Sequence, residues 1–159
     1  MKAVKKTNAA RILDGLKLNY RLMTYPVDLN DLSAVHVAAS IGMPAQQIFK
    51  TLVCRGDKEG IVMAVIPGDA TLDLKALAKA SGNKRVEMVA LKEVLPLTGY
   101  VRGGCSPLGA KKAFPVVLDA SAKQWEEIAI SAGKRGEQIL LAPDSLLQAT
   151  SGKLAEIAR

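Results

Sequence analysis

The amino-acid sequence predicts a mixed α/β fold of one domain, residues 1–159, with helices set around a largely β core. Three features point there. Short segments with a capping residue and helical apolar spacing alternate with β-branched apolar runs. One such run, residues 61–66, is apolar throughout, the pattern of a strand covered on both faces. Glycine and proline are spread along the chain rather than gathered, so no linker is visible, and no segment repeats.

Residues 7–16 read as a helix that Thr7 caps, with Ala9, Ile12, Leu13 and Leu16 on one face. Lys2, Lys5, Lys6 and Arg11 lie before it or on its outer side, as a solvated face would have them. Residues 20–25 form a short strand closed by Pro26. Ser33 caps a second helix, Ala34–Ile41, which Gly42 ends, and Pro44 opens a helical turn through Gln46 and Gln47. Residues 48–54 have strand composition, and period-two alternation puts Lys50 on one face with Ile48, Leu52 and Cys54. Asp57 and Gly60 turn the chain into the apolar strand 61–66, which Pro67 and Gly68 end. A helix over 72–80 stops before Gly82, Val86–Met88 is a short strand, and a helical turn at 91–95 is stopped by Pro96. After a glycine-rich loop come a strand at 114–118, an apolar stretch at 125–130 and a second glycine-rich basic loop at 131–136. A strand at 138–141 and a helix over 143–149 complete the chain.

The formal net charge of +7 favours an anionic partner, nucleic acid foremost. Cys54 and Cys105 form no CxxC pair and His36 is the single histidine. A structural zinc needs about four nitrogen or sulfur ligands, so neither metal nor cofactor is expected. Two isolated cysteines suit a reducing cytosol. No apolar h-region follows the basic start and no apolar run approaches the roughly 20 residues that span a bilayer. A soluble cytoplasmic protein is expected.

Several chemistries drop out. A Ser-His-Asp triad would have to use His36, which lies in an alanine-rich helix. The 132–136 loop fails as a P-loop, with Ile128 where the first glycine belongs and Arg135 where Ser or Thr follows the lysine. No GxGxxG opens a helix. What remains is a lysine in an apolar strand and two glycine loops. A lysine at position 50 is costly unless it snorkels, loses its proton or meets an anion; an edge strand with a protective inward charge is the plainer reading. Residues 99–112 hold four glycines, Pro107 and no acid. Such a loop suits an anion or oxyanion receptor, or equally a tight turn with solvent-facing lysines.

Five ordered stretches carry a family resemblance: Phe49 to Leu52, Lys84 to Met88, Thr98 to Tyr100, Gly103 to Lys112 and Ser131 to Gly136. Across nearly its whole length the chain resembles the YbaK-type deacylases, free-standing relatives of the editing domain of bacterial prolyl-tRNA synthetase. The resemblance implies a compact mixed β-sheet, partly closed like a barrel and flanked by helices. It implies hydrolysis of the ester joining cysteine to the 3′ adenosine of mischarged tRNA(Pro), with tRNA as partner and prolyl-tRNA synthetase as a further one. Lys50 stands at the family's essential lysine, to which we assign the hold on the terminal ribose or phosphate. Gly104 is expected to offer its N–H to the scissile carbonyl; Tyr25, Gly103, Ser106 and Ser131 are expected to line the pocket. The basic residues of the two loops, Arg102, Lys111, Lys112, Lys134 and Arg135, are expected to meet tRNA. The family's nucleophile is the substrate's own thiol or 2′-hydroxyl. The chain departs from the family pattern at Cys105, where Ile or Val is usual, at Met23 in place of histidine, and at Ala132 in the second glycine pair. Deacylation of a different small residue, alanine or serine, is the near alternative. An idle tRNA-binding module and a Ser–Lys hydrolase using Ser106 or Ser131 are the distant ones.

Overall fold

A computed structural model describes residues 6–159, so Lys2 and Lys5 lie outside the described residues. Helix α1 (Asn8–Gly15) is capped by Thr7, whose hydroxyl accepts the Ala10 N–H at 3.3 Å. Its buried side is Ala9, Ala10 and Leu13, while Leu16 falls past the helix end and is 45% exposed. Strand β1 (Arg21–Thr24) follows, then α2 (Ala34–Ile41), with Ser33 accepting the His36 N–H and Gly42 closing the helix at φ 72°. A 3₁₀ turn (Ala45–Gln47) leads into β2 (Phe49–Gly56), β3 (Gly60–Pro67), α3 (Leu74–Ser81) and β4 (Val86–Met88). Helix α4 (Leu91–Thr98) does not stop at Pro96 as the sequence suggests. The proline removes only the donor that would reach Lys92. Because two residues remain beyond it, the turn completes, and the Gly99 N–H reaches the Leu95 carbonyl at 2.8 Å with φ 84°.

Strand β5 (Val116–Asp119), a second 3₁₀ turn (Ala120–Gln124), β6 (Ile128–Ser131), β7 (Glu137–Leu141), α5 (Pro143–Thr150) and β8 (Lys153–Ala155) complete the order. The sequence reading has no counterpart of β8. Its three residues are too few to signal a strand, and their pairing is tertiary. The buried Asp119 carboxylate accepts the Ile157 and Ala158 N–H groups at 2.9 and 3.0 Å, holding the last residues against β5.

The fold class is the mixed α/β one expected, with the strands in two sheets rather than a single one. One has the order β1-β7-β6 and is antiparallel; the other has the order β4-β2-β3-β5-β8 and mixes antiparallel with parallel pairs. An isolated bridge, Ile48 with Ala129, joins them. The main apolar core contains Phe49, Val53, Met63, Val65 and Leu118 of the five-stranded sheet together with Ile128, Ile130, Ile139 and Leu141 of the three-stranded one. A second cluster, under α3, takes the alternate residues Cys54, Val62, Ala64 and Ile66. The run 61–66 is apolar for that reason: successive side chains enter two different cores. A third cluster seats α2 on Ala129 and Leu140.

Candidate functional site

Strand β2 is paired on both sides only near its end. Strand β3 runs along its whole length, whereas β4 pairs with Cys54 to Gly56, and the Val89 N–H reaches the Val53 carbonyl. On that same side β6 meets β2 at the Ile48–Ala129 bridge. The stretch 49–52 therefore presents an open strand edge, and along it lies a cleft of about 520 Å³. Strand β2 supplies one wall, the first turn of α2 supplies Ser33 and Ala34, and the glycine loop supplies Arg102, Gly103 and Cys105. Ser131 and Gln138, cross-strand partners on β6 and β7, add to the polar lining together with Asn30, Asp31 and Thr51.

Lys50 lines this cleft, half-buried, and its amine donates to the Gly68 carbonyl at 3.2 Å. Burial holds its pKa below the usual lysine value, with the Asp69 carboxylate opposing that shift. Asp69 is itself held by the Gln46 side-chain amide at 2.9 Å. One ammonium N–H thus meets a carbonyl, and two are left for a ligand.

The two glycine loops are one construction. Residues 101–104 form a turn in which Gly103 takes φ 81° and the Gly104 N–H donates to the Val101 carbonyl at 2.9 Å. That bond differs from the expectation for Gly104, whose amide is already used. Gly103 and Cys105 line the cleft, and their backbone N–H groups carry no hydrogen bond among the described residues. Gly104 serves close approach instead: a Cβ there would stand 3.2 Å from the Lys134 Cα. Arg135 ties the loops by donating from Nε to the Arg102 carbonyl at 2.7 Å. Tyr100 is wedged between them, its ring 3.0 Å from where a Gly133 Cβ would be and its hydroxyl bonded to the Leu108 carbonyl. Burial pushes its pKa up to about 12.

The remaining expected residues divide. Ser131 lies in the cleft, its oxygen accepting the Gly133 N–H at 3.1 Å. Ser106 does not line it: the residue is fully buried and its oxygen accepts the Leu108 N–H, a local turn before the apolar Leu108. Tyr25 lies outside the cleft lining too, with its backbone N–H bonded to the Gly136 carbonyl at 3.0 Å. Of the basic residues, Arg102 reaches the cleft, Lys134 pairs with the buried Glu137 at 3.3 Å, and Lys111 and Lys112 are exposed away from it. Cys105 packs against the main core, and burial pushes its thiol up to about 11. It stays protonated at neutral pH.

Two polar atoms of the site escaped the sequence reading. Among the described residues Thr51 Oγ1 and Gln138 Oε1 are buried without a hydrogen-bond partner, and both residues line the cleft. The available signal was Gln138 itself, a polar side chain at a buried register before Ile139, Leu140 and Leu141. No cluster of three or more His, Cys, Asp or Glu that could hold a metal occurs among the described residues, and no helix there is long and apolar enough to cross a membrane.

Comparison with known proteins gives three findings. A family model described as aminoacyl-tRNA editing domain matches residues 31–149. A protein of Enterococcus faecalis (strain ATCC 700802 / V583), EbsC, is 53% identical over 156 residues, covering 98% of this chain and 95% of that protein; its name is that of a candidate Cys-tRNA(Pro)/Cys-tRNA(Cys) deacylase. A crystal structure of a candidate trans-editing enzyme for prolyl-tRNA synthetase superposes with a TM-score of 0.81 at 25% identity, over 98% of this chain and 99% of that one.

Proposed function

From the premise that the chain belongs to the aminoacyl-tRNA editing domain family, we propose that it hydrolyses the ester of mischarged tRNA, with Cys-tRNA(Pro) as its main substrate. The chain is thus an aminoacyl-tRNA deacylase. The observation that carries the reading is the Lys50 ammonium, half-buried at the cleft with donor capacity to spare. Net hydrolysis adds water across the acyl–oxygen bond, giving free amino acid and the ribose hydroxyl. An aminoacyl ester is reactive enough that orientation and an oxyanion donor suffice, one such donor being worth roughly 3 kcal/mol.

Geometry supports the following roles. Lys50 holds the terminal ribose or its phosphate in a partly dry site, where the contact is stronger than in water. The cleft-lining amides of Gly103 and Cys105 take the oxyanion role first given to Gly104. Neither the Ser106 hydroxyl, sealed in a turn, nor the Cys105 thiol, which is protonated, is an activated nucleophile, and the Ser131 oxygen is engaged by the Gly133 N–H. The attacking group therefore comes from the substrate or from water. Arg102 is the loop cation best placed to meet the acceptor stem, with Lys111 and Lys112 farther out. Prolyl-tRNA synthetase, the source of the mischarged tRNA, is the proposed partner, and the cytoplasm the place of action.

Purified protein and tRNA charged with Cys, Ser, Ala or Pro test the reading. Release of cysteine by the wild type and its loss in Lys50→Ala, with folding intact, are the expected results. An idle tRNA-binding module would bind without releasing any amino acid. A Ser–Lys hydrolase would lose all activity in Ser131→Ala and leave an acyl adduct on the wild type.

A further inference from the structure

Strand β7 opens on a charge that its register does not call for. Glu137 shares a face with Ile139 and Leu141, both in the main core, and its side chain is only 3% exposed. A carboxylate so placed is costly unless a charge meets it. The Lys134 ammonium does so from 3.3 Å, half exposed itself. Oε2 accepts no hydrogen bond among the described residues, so the pair is held by charge rather than by hydrogen-bond geometry.

Lys134 and Arg135 are the whole of the second loop between Gly133, at φ 104°, and Gly136, at φ 89°. Glycines in the left-handed region leave the peptide between them little stiffness of its own. Both side chains are tethered instead, and to different elements: Lys134 to Glu137 on β7, Arg135 through Nε to the Arg102 carbonyl at 2.7 Å. Gly104 packs on that same peptide, where a Cβ would stand 3.2 Å from the Lys134 Cα and 3.3 Å from the Arg135 nitrogen. Whatever moves the Lys134–Arg135 peptide therefore moves the turn in which Gly103 and Cys105 carry their unpaired amides. We infer that Glu137 is a positioning residue: held to Lys134, and with Arg135 tying the joint to the first loop, it sets where those two amides stand. The inference rests on the deacylase reading, because only there do the amides have a reaction to serve. A shift of about 1 Å at a reacting centre costs about 10²-fold in rate, so a remote charge pair has leverage. If Lys134 were instead an RNA contact, Glu137 would merely compete with phosphate for it, and removing the carboxylate would tighten tRNA.

The experiment measures single-turnover deacylation of Cys-tRNA(Pro) and binding of uncharged tRNA for the wild type, Glu137→Gln, Lys134→Met, the double variant and Lys134→Arg. Glutamine keeps the shape of glutamate and removes its charge. Glu137→Gln should lower the rate constant at saturating protein about 10-fold, with tRNA affinity within about 2-fold of the wild type. Lys134→Met should match that fall, and the double variant should be no slower than either, since both act through one contact. Lys134→Arg keeps the charge and should keep most of the rate. An unchanged rate constant in Glu137→Gln overturns the inference. It would leave a structural role if the variant only melts earlier, or an RNA role if tRNA binds more tightly and with a steeper salt dependence. Should Glu137→Gln fail to fold, Lys134→Met and Lys134→Arg decide, as position 134 is half exposed. Backbone amide NMR separates the inference from the deacylase reading. Resonances of Gly103 and Cys105 that move in Glu137→Gln, while those of Asn83 and Ile157 stay, uphold the joint even in a protein that cleaves no ester. Brisk cleavage with those resonances unmoved and the rate unchanged upholds the deacylase and sinks the joint.

Discussion

At position 50 the chain places a cation where its strand has only one neighbour, and its environment tunes it from two sides. Burial lowers the Lys50 pKa, while the Asp69 carboxylate, fixed by Gln46, resists the change. If the ammonium is the working form, activity declines on the alkaline side as pH rises through a value below that of an ordinary lysine. Asp69→Asn removes the opposing charge, so this decline should begin at lower pH while the acid side stays put. Profiles of kcat/KM against pH, corrected for spontaneous ester hydrolysis, read the difference; superimposable limbs would mean that Lys50 does not act as a cation. Lys50→Ala should cost about 10²-fold or more in kcat/KM, the scale of one lost electrostatic contact. Glycines give a second contrast. Gly104→Ala puts a methyl 3.2 Å from main-chain carbon in the facing loop, which must then give way, so both melting temperature and kcat/KM should fall. Gly15→Ala, at the end of α1 with open space around it, should be neutral or stabilise by up to roughly 1 kcal/mol, as alanine restricts the unfolded chain. Thermal melts of the two variants should move in opposite directions.

Elements whose ends are written in local chemistry were legible, and those made by distant partners were not. Helix α2 needed only Ser33 and Gly42, whose capping and left-handed roles are each set within the adjoining turn of the helix. The Pro96 boundary failed because a proline near a helix end costs one donor, and the nearby Gly99 supplied the true stop. Strand β8 was invisible since its order comes from pairing with β5, far away in sequence. The same division runs through the site. Lys50, Gly103 and Ser131 could be named from motifs, but Gln138 and Thr51 matter only because tertiary packing buries them without partners. The Gly104 N–H is taken up by the Val101 carbonyl, and which amide of a glycine pair is free depends on the turn type. Asp119 yields a prediction at this scale. Asp119→Ala leaves the buried Ile157 and Ala158 N–H groups without their acceptor and frees the tail, at about 1–3 kcal/mol for each group that water does not reach. Hydrogen exchange should show protection lost in β8 and at residues 157 and 158 first. Retained protection there would show that β5 pairing and the backbone bonds to Thr71 and Asp73 hold the tail without the carboxylate.

Across the whole molecule the chain carries a net charge of +7, and part of its positive charge is already spent on ion pairs. Lys6, Arg21, Arg55, Lys123 and Lys134 each meet an acid, with Asp14, Glu127, Glu93, Asp144 and Glu137 as partners. The carboxylates of Asp14, Glu93 and Glu127 are held below their ordinary values first by those hydrogen bonds, and Asp57 by the Arg85 N–H. A carboxylate with a lowered folded-state pKa stabilises above its unfolded pKa of about 4, and that contribution fades as pH falls through the lower folded value. These groups are mostly exposed and screened, so each contributes little and acid should erode stability gradually. For RNA the same pairing has a sharper consequence. Binding that neutralises phosphates releases counterions, so log K falls linearly with log salt, by about 0.7 to 0.9 for each phosphate contacted. Arg102, at the cleft and without an acidic partner among the described residues, should own one such contact. Arg102→Ala should then lower the slope by about one phosphate's worth and weaken tRNA whichever amino acid it carries. Arg21 is bound at 2.7 Å to Glu127, and Arg21→Ala should leave the slope unchanged. Equal slopes for wild type and Arg102→Ala would place the phosphate track elsewhere on the surface, with Lys111 and Lys112 the next loop cations to test.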